Sequence, residues 1–356
     1  MSQNRKNTRK QIMVDDASLN LLMVIIAAIA LLLVVSAIYF IVFGVSAPSP
    51  EHNIGGENTQ VSENFDYPFR TEISVTAPEF AENSVALMAK TDTSDGLYSE
   101  FAALVDVTEG KIIASKKSSA LIYPASMTKV MTLIVVYENL KSEDSLNDKI
   151  TITQELHDKK ISEQLSGDLY ATGDVLTVED MIYALMLRSD GIAALSLADY
   201  IAGSEKAFVE LMNQKADELG LTNTNFTNCT GIHHKDHVTT CQEMAVIMMY
   251  AMKNPFCANV MSTLSYRTVT DVYADGITFY HSLLVTKFEH ETPYVNLKTV
   301  DVTAGKTGWT GKESGRCLVS YAKGNNGHEY ILVTAKAPNK NEEVLDLEYI
   351  YNNYAK

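Results

Sequence analysis

Ser126 and Lys129, in the string YPASMTKVMT, are the two residues with the clearest capacity for chemistry. On a helix, positions i and i+3 share a face, so the hydroxyl and the amine come within hydrogen-bonding reach. A serine is a poor nucleophile until a base takes its proton. A lysine becomes that base when desolvation and positive neighbours lower its pKa toward neutrality. A helix start adds free backbone amides and a dipole favouring developing negative charge. Alone the pairing is weak, because Ser-x-x-Lys arises about once by chance in a chain of this length. The second piece is Lys306–Thr307–Gly308, on a predicted edge strand before the last hairpin. A lysine and a threonine hydroxyl there could hold a carboxylate, and the glycine would let a substrate backbone lie against the strand. That string is rarer, roughly one chain in ten or twenty, yet it also makes an ordinary turn.

The elements that must position these residues are legible. The stretch FAALVDVTEGKIIASK reads as a hairpin turning near Glu109 and Gly110. SMTKVMTLIVVYENL is a long helix whose apolar side chains wrap most of its circumference, which predicts a buried central helix. Thr177 with Asp180 is a variant capping box opening a helix toward Arg188. Two amphipathic helices follow, ended by Gly203 and Gly220, and Thr240 with Glu243 caps another that stops before Pro255. RCLVSYAKG and HEYILVTAKA form a hairpin around Gly324–Gly327, and a terminal helix runs from Glu342 to about Tyr354. Strands at both ends with helices between predict an α/β (α+β) fold: a central antiparallel sheet whose first and last parts meet, flanked by helices.

Order, spacing and context raise both motifs above chance. YPASMTKVMT, the segment LADYIAG…FVELMN…ADELGLTNTNF and GKTGWT together resemble the serine D-alanyl-D-alanine carboxypeptidases, the low-molecular-mass penicillin-binding proteins (peptidase family S11). The resemblance covers about residues 98–356 and implies the DD-peptidase/β-lactamase-like fold. It also implies a role for each matching residue. Ser126 would be the acylated nucleophile and Lys129 its base. Lys306 and Thr307, with Gly308 beside them, would bind the terminal carboxylate of a peptidoglycan stem peptide ending in D-Ala-D-Ala. The backbone N–H groups of Ser126 and Trp309 would form the oxyanion hole. β-Lactam antibiotics would acylate the same serine, and no metal or organic cofactor is required.

One motif departs from the family's pattern. Ser189 falls where the family reads Ser-x-Asn, but this chain reads Ser189–Asp190–Gly191. The missing amide would have bonded the substrate and steadied the lysine, leaving Asp190 or a water to stand in. An active enzyme with altered preference or rate is expected, and restoring Asn at 191 would test it. Three other readings stay open: a serine β-lactamase, a wall-binding or regulatory homologue impaired at Gly191, and a transpeptidase using an acceptor amine. The glutamate-bearing deacylation motif of the β-lactamases is not found.

The remaining residues are less specific. His233, His234 and His237 in GIHHKDH invite a zinc reading, but no acid-plus-histidine helix signature accompanies them and the segment reads as a polar loop. Cys229 and Cys241 bracket that loop and could pair outside the membrane. Four cysteines allow three full connectivities, and sequence does not choose. Cys257 and Cys317 read as buried thiols. EMAVIMMYAM reads as core packing, and Tyr123 and Trp309 as cleft or core aromatics.

The chain has 356 residues, 46% hydrophobic and 21% charged, enough apolar surface to exclude a disordered chain. Its 29 basic and 44 acidic residues give a net charge of −15, which argues against a nucleic-acid partner. Residues 21–45 form an apolar run without charge, behind Arg5, Lys6, Arg9 and Lys10. Twenty-five helical residues span roughly 37 Å, enough to cross a hydrocarbon core of about 30 Å. A cleavable signal has a shorter apolar region, about 7–15 residues, and a core helix would not explain the basic flank. An uncleaved anchor is expected, with residues 1–20 cytoplasmic, 46–82 an extracytoplasmic tether and 83–356 the catalytic domain. Many relatives carry a C-terminal β-rich domain and an amphipathic helix. Here the N-terminal span is expected to do the anchoring, placing the chain in a bacterial cell membrane as a single-pass protein.

Overall fold

A computed structural model describes residues 72–91, 95–167, 170–270, 273–287 and 295–356. The expected membrane span, its basic flank and the tether up to residue 71 lie outside the described residues. Among the described residues no helix is long and apolar enough to cross a membrane.

Six strands form the central sheet: β1 (Glu79–Ala86), β2 (Phe101–Asp106), β3 (Lys111–Lys116), β4 (Val300–Trp309), β5 (Arg316–Gly324) and β6 (Glu329–Ala337). Their order is β1-β3-β2-β6-β5-β4, so the first and last parts of the chain meet where β2 pairs with β6, Leu104 opposite Leu332. The sheet is mixed rather than wholly antiparallel. β2 through β6 pair antiparallel, but β1 pairs parallel with β3, placing Glu79 opposite Lys111. The cause is connectivity: β1 and β2 run in opposite directions, and β3 lies between them antiparallel to β2. β1 starts within the stretch read as tether, and Glu79 is ion-paired to Lys111 at 2.8 Å.

Alternation along the strands divides the core. Ala103 and Val105 on β2, with Ile331 and Val333 on β6, face a large helical layer. Ala102, Leu104 and Leu332 face the opposite way, onto Leu347, Ile350 and Tyr351 of the terminal helix. The helical layer is built around α1 (Thr128–Asn139), buried from Thr128 through Tyr137. Each fully buried Val, Leu, Ile or Met contributes roughly 1.5–3 kcal/mol, so this helix is a fixed post for whatever stands at its start. Around it lie α2 (Gln154–Glu163), α3 (Val178–Leu187), α4 (Gly191–Ala202), α5 (Glu205–Glu218), α6 (Cys241–Lys253) and α7 (Pro255–Ser262); α8 (Lys340–Tyr354) covers the sheet's other face.

The expected caps are in place. Thr177 Oγ1 accepts from Asp180 N at 2.9 Å, and Asp180 Oδ2 accepts from Thr177 N at 2.7 Å. Thr240 Oγ1 accepts from Glu243 N at 3.1 Å. Gly203 and Gly220 follow their helices at φ +73° and +71°, where a side chain would be strained. Of the four methionines of α6, Met244, Met248 and Met249 are core residues and Met252 packs half-buried against the core.

Candidate active site

A short 3-10 turn, Ala125–Met127, carries the chain from Pro124 into α1 and presents Ser126. Ala125 stands at φ +48°, a left-handed conformation costing a non-glycine residue about 1–3 kcal/mol unless its surroundings impose it. Two glycines show how closely those surroundings press. A Cβ on Gly231 would lie 2.0 Å from the Ala125 carbonyl oxygen, and one on Gly308 would lie 2.9 Å from Ser126 N and 3.0 Å from Ala125 Cβ. Gly308 therefore brings β4 against the backbone of the serine turn itself, a closer approach than the substrate contact expected of it.

Lys129 follows one turn later, and its Nζ donates to Ser126 Oγ at 3.1 Å and to the Thr230 carbonyl at 2.6 Å. The side chain is 2% exposed. Burial pulls the ammonium down to about 8, against the opposing pull of Cys229 and Asp190. The Cys229 thiol is itself pushed well up by burial and stays protonated. This is the desolvated amine that a serine nucleophile needs beside it.

The Thr230 carbonyl is aimed by a neighbour the sequence did not single out. Asn228 Oδ1 accepts from Gly231 N at 2.7 Å and from Thr230 N and Oγ1, each at 3.2 Å, while its Nδ2 donates to Ile232 O at 3.0 Å. The available signal was an Asx turn, an asparagine bonding backbone two or three residues ahead of a glycine. Thr132 Oγ1 donates to the Cys229 carbonyl at 2.8 Å, fastening the same loop to α1. His237 belongs to this scaffold. Its Nδ1 accepts from Thr227 N at 3.1 Å and its Nε2 lies 2.7 Å from Thr128 Oγ1, while burial pushes it down to about 3. His233 packs edge-on against Tyr123 at 4.6 Å, and His234 Nδ1 accepts from Asp236 N at 3.2 Å.

β4 forms the sheet edge, as predicted, and carries Lys306, Thr307 and Gly308 past Ser126. Lys306 is fully buried, and its Nζ donates to the Thr307 carbonyl at 2.9 Å. Thr307, next along the strand, is half-buried. Trp309 is 56% exposed, with the Arg316 guanidinium 4.9 Å from its ring centroid, so it is a surface aromatic and not a core one.

Ser189 precedes α4 at φ +59°, half-buried, and its carbonyl accepts from Ser166 Oγ. Gly191 is not merely a missing amide. A Cβ there would lie 2.6 Å from Leu165 Cβ, and Gly191 N donates to the Ser166 carbonyl at 2.8 Å. The volume a side chain at 191 would occupy is filled by the 165–167 loop, so restoring Asn by itself would displace that loop.

Cys229 and Cys241 are not bridged; all four cysteines are free and buried. Cys229 Sγ donates to Glu205 Oε1 at 3.4 Å, while the Cys241 side chain faces Cys317. Thiol titration of denatured protein prepared without reductant is expected to find four reactive groups; two would establish a disulfide.

The D-alanyl-D-alanine carboxypeptidase family profile matches residues 88–339. The chain is 29% identical over 264 residues to Bacillus subtilis D-alanyl-D-alanine carboxypeptidase DacF, covering 71% of this chain and 62% of that one. It is 34% identical over 169 residues to the D-alanyl-D-alanine carboxypeptidase of Streptomyces sp. K15, covering 45% and 57%. The crystal structure of the Streptomyces K15 DD-transpeptidase superposes with a TM-score of 0.63 at 26% identity, over 73% of this chain and 98% of that one. The chain thus spans less than two thirds of the length of these two curated relatives. With the fold, the Ser126–Lys129 contact and the family match in agreement, the chain belongs to the D-alanyl-D-alanine carboxypeptidase family.

Proposed function

We propose that this chain is a serine D-Ala-D-Ala carboxypeptidase that trims peptidoglycan stem peptides and is acylated by β-lactams. The observation carrying this reading is the buried Lys129 amine 3.1 Å from Ser126 Oγ. It stands in a turn packed against the strand of Lys306, Thr307 and Gly308.

Ser126 Oγ attacks the carbonyl carbon between the two terminal D-alanines as its proton passes to Lys129 Nζ. The backbone N–H groups of Ser126 and Trp309 hold the oxyanion; losing one such donor typically costs about 100- to 1000-fold. As the C–N bond breaks, a proton returns to the departing D-alanine amine, and Ser189 is the hydroxyl we assign to relay it. Water then hydrolyses the acyl-serine with Lys129 again as base. The Lys306 charge and the Thr307 hydroxyl select a free terminal carboxylate, and none of these steps calls on a metal or organic cofactor. Release of D-alanine from a peptide ending in D-Ala-D-Ala, absent with an L-Ala-L-Ala end, tests the reading. Penicillin hydrolysed in rapid multiple turnovers would favour a β-lactamase. Products joined to an added amine would favour transfer.

Lys306→Met is expected to weaken capture of carboxylate-bearing substrates by about 10- to 100-fold in kcat/KM, the range of a hydrogen bond or ion pair to a charged group. An amidated C-terminus should be insensitive to the change. Equal losses on both substrates would contradict the carboxylate role.

We also infer that residues 21–45 anchor the protein in a bacterial cell membrane with the catalytic domain outside. This reading is supported by the apolar length and the basic flank. Protease accessibility of the domain in intact spheroplasts tests it.

A further inference from the structure

Asp190 is a costly residue in the position it occupies. Its side chain is fully buried. Oδ1 accepts from Ala193 N at 3.0 Å and caps α4, but Oδ2 has no hydrogen-bond partner among the described residues. The 165–167 loop seals it. Gly191 N is bonded to Ser166 O at 2.8 Å, and a Cβ on Gly167, which stands at φ +111°, would lie 2.4 Å from Asp190 Oδ2. A neutral Asn or Ser would cap the helix equally well, without the desolvation cost of a carboxylate. A charge kept at that cost, one residue after Ser189, needs a counter-charge. Two cations face it: Lys129 from α1 and Lys160 from α2. The Tyr170 hydroxyl also faces Asp190 and is held protonated by burial. On the other side of the pair, the titratable groups that favour the charge of Lys129 among the described residues are Cys229 and Asp190. Cys229 is a protonated thiol, and nearby His237 is held neutral.

We propose that Asp190 is a positioning residue for acylation: its sealed carboxylate is the counter-charge of Lys129, in a motif whose third residue has no side chain to steady the amine. The proposal rests on the reading of Ser126 as nucleophile and Lys129 as base. Burial raises the Asp190 carboxyl to about 6, so it is ionised at neutral pH. An ionised Asp190 favours the ammonium form of Lys129, so removing that charge lets burial carry the lysine further down. The neutral base then persists to lower pH, at some loss of basicity.

The test is the second-order rate of acylation by a chromogenic cephalosporin, measured from pH 5 to 10. Asp190→Asn keeps the cap and the size and removes only the charge. It is expected to move the acidic limb to lower pH by at least half a unit and to lower the plateau by a few-fold. Asp190→Ser, a second neutral cap, should shift the limb the same way. Profiles superimposable on the unsubstituted enzyme, or failure of both variants to fold, would assign Asp190 to scaffolding alone and overturn the proposal. Failure of the underlying reading shows differently: Lys129→Met would retain the unsubstituted rate and acidic limb.

Discussion

Ser126→Ala is expected to abolish D-alanine release and penicillin capture together, by on the order of 10⁶-fold, the scale on which serine hydrolases lose rate without their nucleophile. The fold should survive, because Ser126 stands half-buried in a turn held by other contacts. Gly231 and Gly308 press on the backbone of Ala125 and Ser126, and Lys129 retains its bond to the Thr230 carbonyl. A melting temperature within a few degrees of the unsubstituted protein therefore accompanies the loss. Steady-state D-alanine release and fluorescent-penicillin labelling check it. A variant that still releases D-alanine at more than about a thousandth of the rate would remove Ser126 from the chemistry.

Lys129→Met, which keeps the length and apolar character of the side chain, is expected to lower acylation by about 10²- to 10⁴-fold, the range of a general base. Its effect on stability runs the other way. The folded-state pKa of Lys129, about 8, lies below its ordinary 10.5. The fold therefore favours the neutral amine. The resulting stability is complete above about 10.5, declines as pH falls from there toward 8, and is lost below 8. At pH 7 burying the ammonium costs about 3 kcal/mol. Substitution removes that cost and leaves the Thr230 carbonyl without its donor, a loss of about 1–3 kcal/mol. The two nearly cancel, so the melting temperature at pH 7 should hold steady or rise. Relative to the variant, the unsubstituted protein should gain stability between pH 8 and 10.5. A variant several degrees less stable at pH 7 would show that the amine is not desolvated as described.

The parts of the fold that follow local rules were legible in the sequence. The capping residues Thr177 and Thr240, the terminal glycines Gly203 and Gly220, and the two hairpins each have a short-range cause. α1 was readable because an apolar circumference has no stable place but the interior. The parallel pairing of β1 was not readable: its polar, largely exposed sequence, EFAENSVA, lacks the apolar alternation that fixes a strand's face and register. The reactive pair was legible because i and i+3 are neighbours on any helix. The rest of the site is assembled from loops whose contacts are distant in sequence. Thr230 lies 101 residues from the lysine it bonds, and nothing in NCTGIHHKDH announces that meeting. Leu165 closing over Gly191 is similar, since a glycine in sequence shows that a side chain is absent without showing what fills the space. Cys229 and Cys241 bracket one loop, yet the fold turns their sulfurs toward different neighbours.

Mass mapping of the β-lactam adduct tests the central claim most directly. The purified protein is incubated with penicillin, digested, and the modified residue located by tandem mass spectrometry. The account predicts one adduct, on Ser126, lost on boiling with hydroxylamine as an ester should be. An adduct on any other residue, or none on folded protein at saturating penicillin, would contradict it.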